Sequence, residues 1–599
     1  MSGLIGGWSS SSLSPATFDA AFAALAHRGP DSVGLHRDQR AFIGAQRLSI
    51  VDHERGHQPL FNEDGTVAAV LDGEIYNTRE LIPDLKRAGH RIATSSDTEL
   101  LVHLWEEHGP EMCEHLRGMF AFMIWDARQR KLFAARDRLG QKPLFITRTR
   151  DGGVLLASEL DGLRALARGA EPSHGWSLRH EALYDYLSLG FIPQPETIYH
   201  GVHAVPAASW VCYDGQRCRE ERYWDLAFKP KLRVTRADAL EQLRELLVDS
   251  VRLRMRGDSP LGMVLSSEPH VAAVAQEASR YTRPGLQTFR VVDGELGAEG
   301  SPEDTILRLK LNPRREIMTL VERYGQPYAD PVALRSLAVA RLLRDHVRAV
   351  LTGLGGDAVM GGRGFDRALL ATEPLRWLPG ELFQPASRLL GRRRRGRRTR
   401  LGQLRRLVDS VGRRPEELYM TWASVLFTEE DKRAWWRAEP LRATEDWLRT
   451  ILPLGLGNLD TQLCGEQRTS LVSGVLMNLD VATMQAGIEG RAPLMDHPLV
   501  EFAASLPDEL RAQRPLLADL YSVPGGWPAP PSVSLDGWMR GSLRPLLLDT
   551  VGQSNAEVRQ WLRDEPLDAL IDGSIMRKRR ARLLYTILVL ELWLRHHRA

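Results

Sequence analysis

Ser2 is the residue with the plainest chemical opportunity in this chain. Its small side chain suits removal of Met1, and the freed α-amine, with an ordinary pKa of about 7.7–8.0, would stand beside the hydroxyl where a base is needed. The hydroxyl is a weak nucleophile, because an alcohol supplies essentially no anion at neutral pH and depends on proton removal in the transition state. A second reserve of charge lies in Asp357, Asp480, Glu489, Arg491, Asp496 and His497. Their spacings indicate neither a triad nor a metal site, and no His-Glu-x-x-His pattern is present. They are expected to tie helices and loops together, with Asp480 and Glu489 as candidates to line a pocket and His497 as a helix-start residue. Four cysteines, Cys113, Cys212, Cys218 and Cys464, are too few and too scattered for a disulfide framework and form no Cys-x-x-Cys pair. No metal and no cofactor is expected.

The elements that would carry these residues change character along the chain. Short alternating segments at Ala41–Ile50, Val67–Leu71 and Lys131–Ala135, with helical stretches at Arg79–Ala88 and Thr98–Glu107, predict strands layered with helices over the first 200 residues. The segment after Leu144 reads as a hairpin turning at Asp151-Gly152-Gly153. Beyond a polar extended stretch, helix Ala237–Arg252, strand Leu261–Leu265, helix Val271–Ala278 and strand Val347–Leu351 alternate as in a parallel α/β sheet. The boundaries drawn are 1–205 for the first domain, 206–235 for a linker and the start of the second, and 236–599 for the second domain. The apolar run near the C-terminus is interrupted by Glu591 and predicts a buried helix.

With 79 Lys+Arg against 76 Asp+Glu, nothing global draws the chain to nucleic acid or to an anionic membrane. The one strong charge block, arginine-rich and between about 385 and 415, has no interleaved aromatics to stack bases and reads as an exposed, mobile or solvated loop. No uncharged stretch is long enough to span a bilayer and no signal segment opens the chain, so a cytoplasmic protein is expected.

His27–Gly34, Arg47–Asp52, Gly56–Val67, Asp72–Asn77, Ser95–Glu99, Leu116–Asp126 and Ala135–Leu144 follow one another in an order that resembles the glutaminase domain of the glutamine-dependent asparagine synthetases. The resemblance continues through Thr288–Arg290, Thr352–Gly362 and Met477–Pro507. It implies a class II amidotransferase with an N-terminal nucleophile in a four-layer α/β/β/α sandwich. A parallel-sheet, adenine-nucleotide-hydrolase-like α/β domain would follow. By the same resemblance Ser2 stands where the family has its nucleophilic cysteine, and Asp72-Gly73 where it has an Asn-Gly oxyanion hole. An ionised Asp72 would repel the oxyanion, and loss of one such donor costs roughly 2.7–4 kcal/mol; only a protonated Asp72 would restore it. Arg47 matches the clamp for an amino acid's α-carboxylate, and Glu74 and Asp97 the acids that receive its ammonium.

The second domain departs further from the family. Where the family carries a phosphate loop of the form Ser-Gly-Gly-Leu-Asp-Ser-Ser, this chain has Ser266-Ser267-Glu268-Pro269-His270-Val271-Ala272. Glu268 brings negative charge to the phosphate position and Pro269 removes an N–H. Gln326 replaces the acid of an Asp-Glu-Pro segment, Leu354 and Ala358 alter a Gly-Asp-Gly-Gly-Asp-Glu loop, and Pro524–Trp527 lacks a phosphate-binding lysine. These losses lead to the expectation of an ATP-independent, Ser2-dependent hydrolase or acyltransferase acting on a γ-glutamyl amide, hydrazide or related amino-acid conjugate. The alternatives are an inactive homologue serving as a binding or scaffold partner, and new chemistry in the remodelled second domain, so whether the chain is an enzyme is left open. Expected partners are an amino-acid-derived small molecule and a companion biosynthetic enzyme, with a homodimer allowed by the resemblance; neither membrane nor nucleic acid is expected.

Overall fold

The computed structural model of the chain describes residues 2–9, 13–170, 176–257, 259–281, 285–293, 304–383, 385, 400–423, 425–439, 441–513, 515–524, 527, 529, 534–573 and 580–598. The first domain holds twelve of its strands: β1 (Ser2–Trp8), β2 (Ser32–Asp38), β3 (Ala41–Arg47), β4 (Leu60–Phe61), β5 (Val67–Ile75), β6 (Gly118–Asp126), β7 (Lys131–Arg136), β8 (Phe145–Arg148), β9 (Val154–Ala157), β10 (Val202–Ala204), β11 (Ser209–Tyr213) and β12 (Cys218–Arg222). They form two six-stranded sheets, ordered β10-β8-β9-β1-β3-β2 and β12-β11-β7-β6-β5-β4.

The period of two in these strands sorts their side chains into layers. Along β5, Ala68 and Val70 join Leu4, Trp8, Ile43, Met123 and Trp125 between the sheets. Val67, Ala69 and Leu71 point the other way, onto Leu100, Leu101 and Leu104 of the helix Asp97–His108. On the far sheet Ile5, Phe42 and Leu155 pack against Phe18, Phe22, Leu163 and Leu166 of helices Pro15–Leu25 and Leu160–Ala170. Burial on both faces of both sheets therefore builds the four-layer sandwich. The segment read as linker from residue 206 begins with two more strands, β11 and β12, that extend the second sheet as far as Arg222.

The second domain is built on β13 (Leu261–Val264), β14 (Leu286–Asp293), β15 (Thr305–Leu309), β16 (Ala349–Leu351) and β17 (Glu489–Arg491), in the order β15-β14-β13-β16-β17 with all pairs parallel. Its strands are apolar on both faces, Leu261, Met263, Ala349 and Leu351 on one side and Phe289, Val291, Leu307 and Val350 on the other, as a sheet covered by helices requires.

The C-terminal run is a buried helix, Arg580–Arg598. Glu591 is fully buried within it and accepts the backbone N–H groups of Glu557 and Val558 at 3.1 and 2.8 Å, which satisfies the charge that interrupts the apolar pattern. Residues 386–399 of the arginine-rich block lie outside the described residues, but Arg400–Ser410 is a helix rather than a loop, with Arg406 over the Trp422 ring.

Candidate functional site

The antiparallel register of β1 and β3 sets Ser2 opposite Arg47, while β5 carries Asp72, Gly73 and Glu74 and the helix Asp97–His108 begins with Asp97. The fold thus brings Arg47, Gly73, Glu74 and Asp97 around one cleft, with Gln58 and Ser96 completing its wall. Its free space is about 30 Å³, enough for a water or two. An amino-acid ligand therefore requires the cleft to widen. Gly73 has φ +127°, and a Cβ there would stand 2.0 Å from the Met119 carbonyl oxygen, so only glycine fits.

Beneath the cleft Ser2 and Asp72 are fully buried. The Ser2 backbone N–H donates to Asp72 Oδ1 at 2.9 Å, and the Ser2 hydroxyl, also buried, has no partner among the described residues. Arg28 donates from Nη2 to Asp72 Oδ2 at 2.8 Å, from Nη1 to Glu159 Oε1 at 2.9 Å and Asp480 Oδ2 at 2.7 Å, and from Nε to the Ser2 carbonyl at 3.2 Å. Lys142 adds a bond to Asp480 Oδ1 at 2.9 Å. Burial alone would lower the Arg28 pKa, but Asp480, Asp72 and Glu159 outweigh it and hold the guanidinium charged. Both Asp72 oxygens thus accept hydrogen bonds, and the side chain presents no donor to an oxyanion.

Arg47 is buried, and its Nη2 donates to the carbonyls of Val51 and Asp52 at 2.9 Å each, while Nη1 has no partner among the described residues. The acids facing it are shared with the second domain. Glu74 Oε1 accepts from Arg491 Nη2 at 2.7 Å, and Glu489 pairs with the Nε of the same arginine. Three carboxylates, Glu74, Asp97 and Glu489, are thus gathered near Arg491. Burial, with Glu489 and Asp97 close by, pushes the Glu74 carboxyl up to about 8 against the pull of Arg491. Burial also raises Asp97 to about 6, although the Ile75 N–H and Arg256 act to lower it.

A carboxyl whose folded pKa is raised contributes stability that is complete below its unfolded value, near 4.5 for Glu74, and is lost as pH climbs through the folded value. The protein is therefore expected to lose stability, of the order of a few kcal/mol, between about pH 5 and 8. Glu74→Gln should flatten that slope, as followed by urea midpoints at each pH. Parallel curves for the two proteins would show that Glu74 does not carry it.

In the second domain β13 leads through Ser266 and Ser267 to Glu268, which precedes the helix Pro269–Ala278. The helix start lies at the carboxyl edge of the parallel sheet beside Gly353–Ala358, the position where this kind of fold binds anions. His270 is buried against Gly356, where a Cβ would meet its ring at 2.5 Å, and its Nδ1 stands 3.4 Å from Asp357. Burial lowers the His270 pKa, and burial with Asp357 raises that of Glu268. Leu354 is exposed, the Ala358 carbonyl accepts from Gln467 Nε2 at 2.9 Å, and Gln326 is turned to the first domain, accepting from the Ile198 N–H at 3.3 Å. Bare phosphate would meet Glu268 and Asp357. The same two carboxylates fit a divalent cation such as Mg²⁺, which is held by one or two acids together with nucleotide oxygens.

Comparison with known proteins decides the family. The glutamine amidotransferase domain family matches residues 1–224 and the asparagine synthase family residues 242–516. Asparagine synthetase [glutamine-hydrolyzing] 1 of Bacillus subtilis is 27% identical over 95% of this chain and 92% of its own length. A putative asparagine synthetase [glutamine-hydrolyzing] 2 of Methanocaldococcus jannaschii is 30% identical over 57% of this chain and 71% of its own, and a putative one of Mycobacterium tuberculosis is 33% identical over 61% and 59%. The chain belongs to the glutamine-hydrolysing asparagine synthetase family. An amidotransferase domain of the N-terminal-nucleophile type is fused to a parallel-sheet synthetase domain.

That membership overturns the expectation of an ATP-independent Ser2 hydrolase or glutamyl transferase. The synthetase match includes the altered loops at 266–272 and 353–358, and the similarity to synthetases runs through both domains. The first of those loops changes its side chains but still joins a strand to a helix. Arg28, Lys142 and Glu159 escaped the sequence reading altogether. Their signal was the place of Arg28 within the His27–Gly34 block and of Lys142 within Ala135–Leu144. Among the described residues no helix is long and apolar enough to cross a membrane.

Proposed function

We propose that the chain forms an amide-type bond by ATP-dependent activation of a carboxylate in its second domain, with an amine that does not come from glutamine hydrolysed at Ser2. The observation that carries this is the Arg28-locked Asp72 beside a buried Ser2 hydroxyl, in a member of a synthetase family. A centre without its oxyanion donor and with an alcohol for a thiol releases little ammonia, so the synthetase half draws on a separate amine. Glu268 and Asp357 would hold Mg²⁺ against the nucleotide, and the ion would supply charge neutralisation on the phosphates. The helix start after Pro269 adds a positive dipole end. Arg47, with Glu74 and Asp97, suits a zwitterionic amino-acid group, so the small molecule recognised is amino-acid-derived.

The test is pyrophosphate release from ATP and Mg²⁺ with panels of amino-acid and peptide carboxylates, using hydroxylamine as a surrogate amine. Carboxylate-dependent release, with hydroxylamine trapped as hydroxamate and glutamine giving no comparable stimulation, is the expected result. Absence of pyrophosphate under all conditions, or glutamine as the best nitrogen source, would overturn the proposal. Glu268→Gln is expected to raise the Mg²⁺ concentration needed for half-maximal release about tenfold. A gain in ATP affinity in that variant would show that the carboxylate repels phosphate instead.

A further inference from the structure

A cluster on the opposite side of the helix Asp97–His108 from the sheet core plays no part in this chemistry. His103 and Glu106 lie three residues apart on that helix and so share a face. His90 follows the helix Thr78–Ala88, and Glu63 stands in the turn after β4. One ligand atom from each of the four falls within 4.8 Å of all the others. His103 Nδ1 is 3.6 Å from Glu63 Oε2 and 3.8 Å from Glu106 Oε2, and His90 Nδ1 is 3.7 Å from Glu63 Oε1 and 3.9 Å from Glu106 Oε2. Two ligands at roughly 2.0–2.2 Å from one tetrahedral ion stand about 3.3–3.6 Å apart, so these four pairs need to close by a few tenths of an ångström, and no pair starts more than 4.8 Å apart.

The remaining atoms of these side chains are already committed. Glu106 Oε1 accepts from Asn62 Nδ2 at 2.8 Å and Arg128 Nη2 at 2.6 Å, and Glu63 Oε1 accepts the Arg91 N–H at 2.8 Å. His90 Nε2 meets Glu107 Oε1 at 3.0 Å, the carboxylate support that a metal-bound imidazole commonly has on its other nitrogen. By contrast His103, 1% exposed, has no hydrogen-bond partner among the described residues on either ring nitrogen, and the buried Glu106 Oε2 has none there either. An imidazole left unsatisfied in this way is costly unless something occupies the space between the four groups. Protonating His103 to pair with the acids is opposed by burial, which lowers its pKa.

We propose that His90, His103, Glu106 and Glu63 bind one divalent transition-metal ion, zinc by preference. Two imidazoles and two carboxylates suit that ion in a closed tetrahedral set. The ion is structural. It fastens the turn after β4 and the residues after Gly89 to the helix that presents Asp97 to the amino-acid cleft.

The experiment takes the full chain stripped with a chelator, titrates it with Zn²⁺ against a competing chromophoric chelator, and repeats the titration with Co²⁺ to read coordination geometry. One equivalent of zinc, a tetrahedral cobalt spectrum and a melting temperature raised by zinc are expected. Glu63→Gln, at a partly exposed position that can change without disturbing the core, and His90→Asn should each weaken binding at least tenfold. His200→Gln, at an exposed histidine elsewhere, should leave it unchanged. No bound zinc, or an affinity indifferent to Glu63 and His90, would overturn the assignment.

Discussion

Arg28→Met is expected to destabilise the protein by about 3–5 kcal/mol, the loss typical of removing one partner from a buried charge network. Arg28 is fully buried and bonds three carboxylates, Asp72, Glu159 and Asp480, drawn from both domains. Methionine fills much of the volume but leaves Asp72 without its guanidinium partner at 0% exposure. The loss is read from urea midpoints, and the double variant Arg28→Met/Asp72→Asn should recover part of it by removing the stranded charge. A loss under about 1 kcal/mol, or no recovery in the double variant, would refute the network's role. The pH dependence supplies a separate check. Burial disfavours the ionised form of Asp480, yet Arg28 and Lys142 hold its carboxyl down at about 2. A depressed carboxyl contributes stability that is present above its unfolded pKa and lost as pH falls through the folded one. That contribution should disappear from about pH 4 down to 2 in the native protein, and at higher pH once Arg28 is gone.

The layers of the first domain were legible because β5 and β7 are short apolar runs bounded by turn residues, although they are buried on both faces and do not alternate with solvent, and because the hairpin at Asp151–Gly153 carries its turn chemistry in its own residues. Arg47, Gly73, Glu74 and Asp97 were legible through motifs whose order the fold preserves. What stayed hidden depends on distant pairing. Glu74 and Arg491 are 417 residues apart, and Arg28 and Asp480 are 452 apart. No local pattern signals such partners. The strand β12 was missed because it is an exposed edge whose residues, Cys218–Arg222, carry charge in place of an apolar face, whereas β11, Ser209–Tyr213, is buried and apolar and did carry a strand signal. His90 and His103 were passed over for a similar reason, since a four-ligand set assembled from a turn, a helix end and a helix face has no regular spacing. The loop at Glu268 misled in the opposite sense. Its side chains differ from the family's and Pro269 lacks an N–H, but a strand, a turn and a helix start still follow one another there.

The same distinction between backbone and side chain fixes what restoring glutamine hydrolysis should take. Ser2→Cys alone replaces the alcohol with a thiol whose ordinary pKa near 8.5 gives a usable thiolate fraction, yet the developing oxyanion would still face the Asp72 carboxylate. Asp72→Asn supplies a donor at the same place and removes one of the three acids on Arg28, whose bonds to Glu159 and Asp480 remain. Adding Asp72→Asn to Ser2→Cys is therefore expected to raise the turnover of glutamine to glutamate by about 10²–10³ over Ser2→Cys alone, the usual worth of one oxyanion donor. The narrow cleft at Arg47 should appear as a high KM in both variants, so the comparison is made at saturating glutamine. Equal rates for the single and double variants would mean that the repulsion at Asp72 is not what silences the centre. With Arg28 fixing the carboxylate and Gly73 already in the required conformation, the whole difference should fall on kcat.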